Sequence, residues 1–444
     1  MFREGLLAVL LGLAGLPLTG AEYDLGKTLG EENELFSASA NTFVLKNRMF
    51  RWVSSKRDAA RYSAFRNPVR ATFLGFPVYE AIVSFEGNRP SRFYLSLYNR
   101  GDAGPMTYEN FEKLVDSFNA AVTEWTGEKG EEQDGRLASG MMLNANFRVS
   151  GPWLYTVKWS ASGRSKRDYK PEYLQFEVEK FNPKEDPRKR SLVRVDRSKM
   201  ERSAELVENV EKRPDGTVWI ANIPMVDQGA KGYCVAAVAE RVLQYYGIEN
   251  VNQHTIAQLT GMTNAGTSSE AMLDALKKAG SKFGIRVRSR YSAEIESVED
   301  LEKMVSRYNR LARKAKKKRI SMVQRGNYVL VGATMAQMDP QLFRRLRCEG
   351  ENREMNSFRK EIRSRVDEGL PTVWCVLLGL VSEKQKTLQP SGGHMRLIIG
   401  YNEQDDTIVY TDTWGAGHEY KVMPFEDAWV MTMRTIAINP RAAR

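Results

Sequence analysis

The chain has 444 residues, of which 42% are apolar and 10% aromatic, and its 66 Lys and Arg outnumber its 55 Asp and Glu. This composition excludes an intrinsically disordered chain, and the length allows two or three domains with sizeable cores. The net charge of +11 indicates association with acidic surfaces such as cell-envelope polymers or membranes, and it does not by itself indicate nucleic acid.

The N-terminus is predicted to be a secretory signal peptide. Residues 6–18 form an apolar run behind Arg3, and small residues follow it up to Ala21. The run is too short to span a bilayer comfortably and contains a proline, which is typical of a signal peptide cut near Ala21. A buried N-terminal helix is the alternative. We therefore expect residues 1–21 to be removed and the mature protein to be exported, either secreted or periplasmic.

Residues 22–181 are predicted to form a small α+β domain of unknown role. Its clearest strands are predicted at residues 77–85, 91–98, 153–157 and 173–178, the first two forming a hairpin. A helix capped by Thr107 is predicted between the two strand pairs. Its apolar residues keep helical spacing on one face: Phe111, Leu114, Val115, Phe118, Ala121, Val122 and Trp125. We find no catalytic constellation in this segment.

Residues 182–214 are predicted to be a charged linker. Prolines and a high density of Lys and Arg indicate an exposed, protease-sensitive segment. One interpretation is an activation site between an inhibitory prodomain and the rest of the chain. The other, which the composition favours, is a solvated connection without a regulatory role. The last domain is then predicted to span residues 215–444.

Gln228 and Cys234 lie six residues apart, directly before the apolar, helix-favouring run 235–243. A helix that starts at or near Cys234 would stabilise its thiolate, which is the reactive form of cysteine. A glutamine at this spacing can supply an oxyanion donor from the same loop. The motif therefore indicates covalent catalysis if a base lies within reach. A buried structural cysteine is the alternative, and a lone cysteine would favour it.

Further helices and strands are predicted before the next motif. Capping-type residues at 266–270 open one helix, and a second helix is predicted over residues 298–318. The second helix ends in the basic run 313–319. This run could bind polyanions, but cations near a helix C-terminus are usually just solvated. Strands at about 326–333 and 372–380 are expected to join one β-rich part of the domain.

The chain has three histidines, and one of them has the surroundings of a general base. His254 lies at a predicted exposed helix start, and His418 lies in a Gly-rich turn. His394 stands at the start of the β-rich run 395–401, which ends in a turn. We therefore expect His394 to be the functional histidine.

A second strand, residues 407–411, follows this turn and ends at Asp412. Two antiparallel strands joined by a turn bring the start of the first beside the end of the second, so His394 and Asp412 are expected to meet. The carboxylate could then orient the imidazole and fix its tautomer, as a general base requires. A strand histidine and a turn-forming aspartate are each common alone, but the joint pattern favours a site.

The three cysteines are Cys234, Cys348 and Cys375. An odd number in an exported chain leaves one free thiol, for which Cys234 is the natural candidate. Cys348 and Cys375 could then form a disulfide. The alternative is that Cys375, which lies in an apolar run, is a plain core residue.

Together these motifs resemble the papain clan of cysteine peptidases. In that family a Gln-x5-Cys loop opens the central helix, a histidine follows on a later strand, and Asn or Asp precedes Ser/Thr-Trp-Gly. The matching positions here are Gln228, Cys234, His394, Asp412 and the Thr-Trp-Gly at 413–415. The order along the chain is also that of the family.

The resemblance covers residues 215–444 and is closest to one bacterial branch. The Tyr-Tyr-Gly at 245–247, the Gly-Thr-Ser at 266–268 and an Asp in place of Asn are similar to the bacteriocin-processing, double-glycine leader peptidases. The implied fold class is α+β, a papain-like two-lobed domain with a helical lobe and an antiparallel β lobe. The small α+β domain precedes it.

The resemblance implies a role for each matching residue. Cys234 would be the nucleophile, and His394 would activate it and later protonate the leaving amine. Asp412 would hold His394 in its useful tautomer. The side-chain amide of Gln228 and the backbone N–H of Cys234 would face the oxyanion, at roughly 3 kcal/mol per donor.

The resemblance also implies two substrate-binding positions, and it implies no metal or cofactor. Gly393 would leave room for substrate backbone beside the histidine. Trp414 would shield the His394–Asp412 hydrogen bond from water, although a plain core tryptophan is an alternative.

The predicted function is an exported cysteine peptidase that hydrolyses a polypeptide substrate through a thioester acyl-enzyme. Two alternatives remain open. One is acyl transfer to an amine by the same triad, as in transglutaminase-like relatives, and the other is an inert peptidase fold used for binding. Nothing in the chain indicates the substrate, the cleavage preference or the oligomeric state.

Overall fold

The computed structural model describes residues 22–30, 33–136, 140–163, 165–192, 200–201, 203–229, 232–248, 251–262, 266–293, 295, 297–326, 328–348, 353–383 and 387–441. The expected signal peptide, residues 1–21, lies outside the described residues, as do residues 193–199 of the expected linker. Two compact units are present. One contains the described residues up to 192 together with Gly229, and the other contains 200–228 and the described residues from Gly232 onward.

The first unit is mixed α+β. Its strands are β1 (Glu22–Asp24), β2 (Arg51–Trp52), β3 (Ala59–Ser63), β4 (Arg70–Phe73), β5 (Phe76–Val78), β6 (Glu80–Glu86), β7 (Arg89–Asn99), β8 (Glu131–Arg136), β9 (Met141–Ser150), β10 (Trp153–Ser162) and β11 (Lys170–Lys180). Its α-helices are α1 (Leu25–Leu29), α2 (Ala40–Lys46), α3 (Arg100–Ala103) and α4 (Tyr108–Thr126). Among the described residues, eight strands form an antiparallel sheet in the order β2-β3-β6-β7-β11-β10-β9-β8, and β1, β4 and β5 form a smaller sheet.

The predicted hairpin and helix of this unit are both present. Gly87 and Asn88 join β6 to β7, and both have positive φ, at 54° and 67°. That conformation suits a two-residue turn between twisted strands. Helix α4 begins after Thr107, whose hydroxyl accepts from the Asn110 N–H at 3.3 Å. Its apolar face, including Phe118, is buried in the core of the unit. Replacing such a phenylalanine by alanine typically costs about 3–5 kcal/mol.

The second unit is also mixed α+β. Its α-helices are α5 (Ser203–Glu208), α6 (Cys234–Tyr245), α7 (Gln253–Leu259), α8 (Ser269–Ala279), α9 (Val298–Lys314), α10 (Val331–Met335), α11 (Pro340–Cys348), α12 (Arg353–Asp367) and α13 (Phe425–Met431). Its strands are β12 (Val210–Lys212), β13 (Thr217–Ile220), β14 (Ile285–Ser292), β15 (Gln324–Arg325), β16 (Tyr328–Val329), β17 (Thr372–Leu378), β18 (Gly392–Asn402), β19 (Thr407–Thr411), β20 (Lys421–Pro424) and β21 (Thr432–Pro440). The sheet order is β12-β13-β18-β17-β21-β14, and β19 pairs with both β18 and β20.

Two elements of this unit carry the predicted motifs, and both form where expected. Helix α6 starts at Cys234, and nearly all of its side chains are buried, including those of Glu240 and Arg241. Strands β18 and β19 form the predicted antiparallel hairpin, in which Leu397 lies opposite Thr411 and Ile398 lies opposite Tyr410. The helix start and the hairpin therefore supply the frame of the site.

Three predictions for this part of the chain are corrected. Helix α9 ends at Lys314, four residues early, because Ala315 caps it and Lys316 adopts a positive φ of 55°. The strand expected at 326–333 is wrong: β15 and β16 make a separate two-stranded sheet, and residues 331–335 are helical. The expected linker 182–214 also contains regular structure, since α5 and β12 lie within it and β12 pairs with β13.

Candidate active site

The register of three neighbouring strands gathers the polar residues of the site. Residues two apart on a strand share a face, and directly opposed residues share it too. His394 and Arg396 lie on the same face of β18, and continuing the pairing of Ile398 with Tyr410 places Arg396 opposite Asp412. Lys421 on β20 lies opposite Tyr410. One face of the sheet therefore carries all of these groups beside the end of β19.

Cys234 is the first residue of α6 and is partly exposed. Burial of the sulfur by itself raises the pKa of the thiol. The His394 imidazole opposes this effect, and so do the backbone N–H groups of Met395 and Val235, so that the net pKa of Cys234 lies below its usual value. A cysteine with these surroundings forms its thiolate more readily than an ordinary cysteine.

His394 is buried and connects the thiol to a carboxylate. Its Nε2 lies 2.9 Å from Asp412 Oδ1. Since Nε2 faces an ionised carboxylate, it carries the proton, and Nδ1 is the nitrogen left for the thiol. Burial lowers the pKa of the imidazole, but Asp412 and Cys234 outweigh it and the net pKa is raised. The geometry is that of a nucleophile, a base and an orienting group.

The Asp412 carboxylate is fully buried and touches three cationic or proton-donating groups. Besides His394 at Oδ1, Arg396 Nε donates to Oδ1 at 2.7 Å and Lys421 Nζ donates to Oδ2 at 2.7 Å. Burial alone would raise the pKa of this carboxyl, but His394, Arg396 and Lys421 hold it far below its usual range. Asp412 is therefore ionised at any pH at which the protein would work.

Glu383 and Tyr410 complete this buried cluster. The two terminal nitrogens of the Arg396 guanidinium each lie 3.0 Å from one oxygen of the Glu383 carboxylate, Nη1 from Oε2 and Nη2 from Oε1. The Tyr410 hydroxyl donates to Glu383 Oε2 at 2.6 Å. Burial raises the pKa of Tyr410 well above its usual value, so it remains a neutral donor. Arg396 is thus held between two carboxylates.

Gln228 is held by the residue that follows Asp412. Its backbone N–H donates to the Thr413 carbonyl at 2.9 Å, and its side-chain Oε1 accepts from the Thr413 hydroxyl at 2.6 Å. The amide oxygen is therefore fixed at Thr413, which turns the NH₂ group away from it. This orientation suits a donor to an oxyanion.

Arg241 joins helix α6 to the end of β19. From inside α6 its Nη1 donates to the Asp412 carbonyl at 2.7 Å and its Nη2 to Thr411 Oγ1 at 2.8 Å. Its Nε donates to the Pro224 carbonyl at 2.6 Å. Burial lowers the pKa of this guanidinium to about 10, which still leaves it charged. Arg241 is a positioning residue for both halves of the site.

The two predicted substrate-binding residues occupy different environments. The Trp414 indole is buried and stacks on His394, with ring centroids 4.4 Å apart and an interplanar angle of 15°. It also lies 5.1 Å from Lys421 Nζ, a cation–π distance. Gly393 is exposed, and a Cβ built on it would meet no heavy atom within 4 Å. Trp414 therefore covers the charged cluster, while Gly393 borders open space.

His418 borders this arrangement, since its ring packs edge-on against Trp414 and its carbonyl accepts from the Asp412 N–H at 3.0 Å. His254 and the other two cysteines lie outside it. Helix α7 begins at Gln253 as expected, but His254 is buried rather than exposed, and its ring packs 6.1 Å from the Tyr233 ring. No disulfide joins Cys348 to Cys375, and both residues lie within the described part of the chain. The possible disulfide therefore does not form, and the alternative of a core cysteine holds for Cys375, which is buried in β17. Cys348, at the end of α11, lies beside Glu426. Burial and this carboxylate raise the pKa of Cys348 to about 11.

Sequence reasoning missed Arg396, Lys421, Glu383 and Arg241. A signal was available for Arg396, because it lies in the otherwise apolar run 395–399, and a charge buried in such a strand needs a partner. The signal for Arg241 is weaker, because Glu240 precedes it directly. Lys421 and Glu383 have no comparable signal in the sequence, since both lie in polar surroundings along the chain.

Over the described ranges, His, Cys, Asp and Glu form no group of three that could hold a metal ion. No helix in the same ranges has the length and apolar character needed to cross a membrane.

Residues 220–436 match the Peptidase_C39 like family, and this range contains every residue of the site described above. No curated protein matches the chain. The match supports a papain-like C39 peptidase family for this region, and it supports cysteine peptidase activity, that is, a hydrolase.

Proposed function

We propose that this protein hydrolyses peptide bonds in a polypeptide substrate through a Cys234–His394–Asp412 triad. The observation that carries the proposal is the chain of contacts from Cys234 through the buried His394 to Asp412, with a lowered thiol pKa at one end and an ionised carboxylate at the other. We also propose a two-lobed arrangement for residues 215–444, with α6 leading the helical lobe, and membership of the double-glycine leader peptidase branch. The small α+β unit before it keeps an unknown role.

The first half of the reaction forms a thioester. The Cys234 thiolate attacks the carbonyl carbon, and the carbonyl π electrons move to oxygen. The resulting oxyanion accepts hydrogen bonds from the Gln228 NH₂ and the Cys234 backbone N–H. As the C–N bond breaks, the His394 imidazolium gives its Nδ1 proton to the leaving amine.

The second half releases the acid. Neutral His394 takes a proton from water, whose oxygen attacks the thioester carbon through a second tetrahedral intermediate. The C–S bond then breaks, and Cys234 leaves as a thiolate stabilised by the imidazolium. Asp412 stays ionised throughout and holds the imidazole in one tautomer.

Thiol labelling across pH tests the nucleophile directly. At pH 6 an alkylating reagent should modify Cys234 and leave Cys348 unmodified, because the pKa of Cys348 is raised to about 11. Cys234→Ala should abolish peptide hydrolysis and the labelling, and the matched control Cys348→Ala should retain both. Peptide turnover by Cys234→Ala would contradict the proposal. Comparing hydrolysis with amine incorporation on the same substrate separates a peptidase from an acyl transferase.

We propose that the protein is exported after cleavage near Ala21. The apolar run at residues 6–18 supports this proposal. Intact mass of the protein recovered outside the cytoplasm tests it, and a chain that keeps its first 21 residues there would contradict it.

We also propose association with acidic envelope surfaces through the end of α9 and the turn after it. Residues 303–338 contain ten Lys or Arg and no Asp or Glu. The basic side chains of residues 313–319 are exposed, although Lys317 pairs with Asp339. Binding to vesicles that contain anionic lipid should weaken with salt and with charge reversal at Lys314 and Lys318. Equal binding by the reversed variant would contradict the proposal.

A further inference from the structure

The environment of Asp412 holds more positive charge than the orientation of one histidine requires. A single hydrogen bond to Nε2 would fix the tautomer of His394. Here the carboxylate also binds Arg396 and Lys421, both of them almost completely buried. Burying two cations is costly unless they are paired, so their presence calls for an explanation.

We infer that Arg396 and Lys421 are positioning residues that make an ionised aspartate obligatory at position 412 and thereby set the charge of the Cys234–His394 pair. This inference rests on the proposed function for its catalytic meaning. Its consequences for folding and for the reactivity of the Cys234 thiol can be measured without peptide turnover.

Hydrogen-bond chemistry gives the first reason. Asp412 accepts at both oxygens, from His394 and Arg396 at Oδ1 and from Lys421 at Oδ2. An asparagine has one acceptor oxygen and one NH₂ group. Whichever way its amide turned, the NH₂ would face a lysine or an arginine donor at about the distance of a hydrogen bond. An asparagine can orient a histidine in a site without such cations, but at position 412 it does not fit between the Arg396 and Lys421 donors.

Charge balance gives the second reason. Asp412 and Glu383 carry two negative charges, and their ion-pair partners Arg396 and Lys421 carry two positive ones, so the charges of these four groups balance. Replacing Asp412 by a neutral residue leaves an excess positive charge in a dry environment. Replacing both Asp412 and Lys421 by neutral residues restores the balance, with Arg396 still paired to Glu383. The effects of the two substitutions should therefore depend on each other.

The same cations act on the Cys234–His394 pair. Their positive field favours the thiolate and disfavours the imidazolium, so it lowers the pH at which each group loses its proton. The titratable and charged groups that face the cluster are Arg396, Lys421, Glu383, Tyr410, Arg241, His418 and Glu419. Removing one nearby positive charge should therefore raise the pH at which Cys234 becomes reactive toward an alkylating reagent.

The experiment uses the full chain with Asp412→Asn, Lys421→Met, the double variant, and Lys421→Arg. The exposed pair Lys303–Glu299 supplies the matched control Lys303→Met. Each variant is assayed for thermal unfolding and for the rate of Cys234 alkylation against pH. Alkylation needs no peptide turnover, so failure of this inference and failure of the peptidase proposal give different results.

We expect Asp412→Asn to lower the melting temperature, because it leaves an excess positive charge in the buried cluster. Adding Lys421→Met should restore most of the melting temperature. Lys421→Met alone should move the rise in alkylation rate upward by about one pH unit, and Lys421→Arg should keep the original profile. Lys303→Met should change neither measurement. Additive changes in melting temperature for Asp412→Asn and Lys421→Met, or an unmoved rise in alkylation rate in Lys421→Met, would overturn the inference.

Discussion

The hydrogen bond between Thr413 and Gln228 offers a sharp test of the oxyanion donor. Thr413→Val keeps the shape of the side chain but removes the hydroxyl that donates to Gln228 Oε1 at 2.6 Å. Both residues are buried, so losing this bond costs about 1–3 kcal/mol. The backbone bond from Gln228 N–H to the Thr413 carbonyl remains. The amide therefore stays near the site but is no longer held in one orientation.

The expected effect has an upper limit set by the donor itself. Gln228→Ala should lower kcat by about 10²–10³, the usual loss for one oxyanion donor. If Thr413 acts by orienting that donor, Thr413→Val should lower kcat by a smaller factor, about tenfold. It should then have little further effect in the Gln228→Ala background. The two substitutions are thus expected to be strongly non-additive.

Steady-state hydrolysis of a peptide by the four proteins of this cycle measures the coupling, with unfolding as the control for stability. Cys234 alkylation should be almost unchanged in all four, since thiolate formation does not use the Gln228 amide. Equal losses of kcat for Thr413→Val in the presence and in the absence of Gln228 would refute the orienting role. A fall in alkylation rate in Gln228→Ala would show that this residue acts on the thiol instead.

Three other predictions follow from the same geometry. Gly393→Leu should raise KM at least tenfold without lowering the melting temperature, because its side chain would enter open space; an unchanged KM would argue against substrate there. Arg241→Met should destabilise the protein by at least about 3 kcal/mol in urea unfolding, because its three hydrogen bonds, two of them buried, are lost. A loss below about 1 kcal/mol would contradict its positioning role. His394 has a raised pKa and Asp412 a depressed one, so the stabilisation by their pairing should be complete between about pH 4 and 6.5. It should be lost as pH rises through the folded pKa of His394 and as pH falls through that of Asp412, and His394→Phe should remove the alkaline loss in urea unfolding.

The reactive residues were predictable because each stands in a strong local pattern. The apolar run after Cys234 predicts a helix, and the helix indeed starts at that residue. The two β-rich runs around residues 402–406 predict a hairpin, and the hairpin brings His394 within 2.9 Å of Asp412. Short-range periodicity determines both features, and no distant contact is needed to infer them.

The same local reasoning failed where packing outweighs propensity. Residues 326–333 are apolar enough for a strand, but they turn and enter a helix that packs in a cluster with α9 and α11. The start of α7 was predicted correctly, but the exposure of His254 was not, because the residues that cover His254 come from other parts of the chain. The exposure of a side chain depends on the tertiary fold, so it is not predictable from a few neighbouring residues in the sequence.

The sequence by itself predicted Cys234, His394, Asp412 and Gln228 as the residues of the proposed site, because the chemistry of each is tied to its own helix start, strand or turn. Only the tertiary structure decided what surrounds them. Lys421 contacts Asp412 because β20 pairs with β19. Glu383 contacts Arg396, which lies thirteen positions later in the sequence. These contacts depend on strand register, which places the charged residues together, and on burial, which excludes water from them. Because water does not screen these charges, they must be paired with each other.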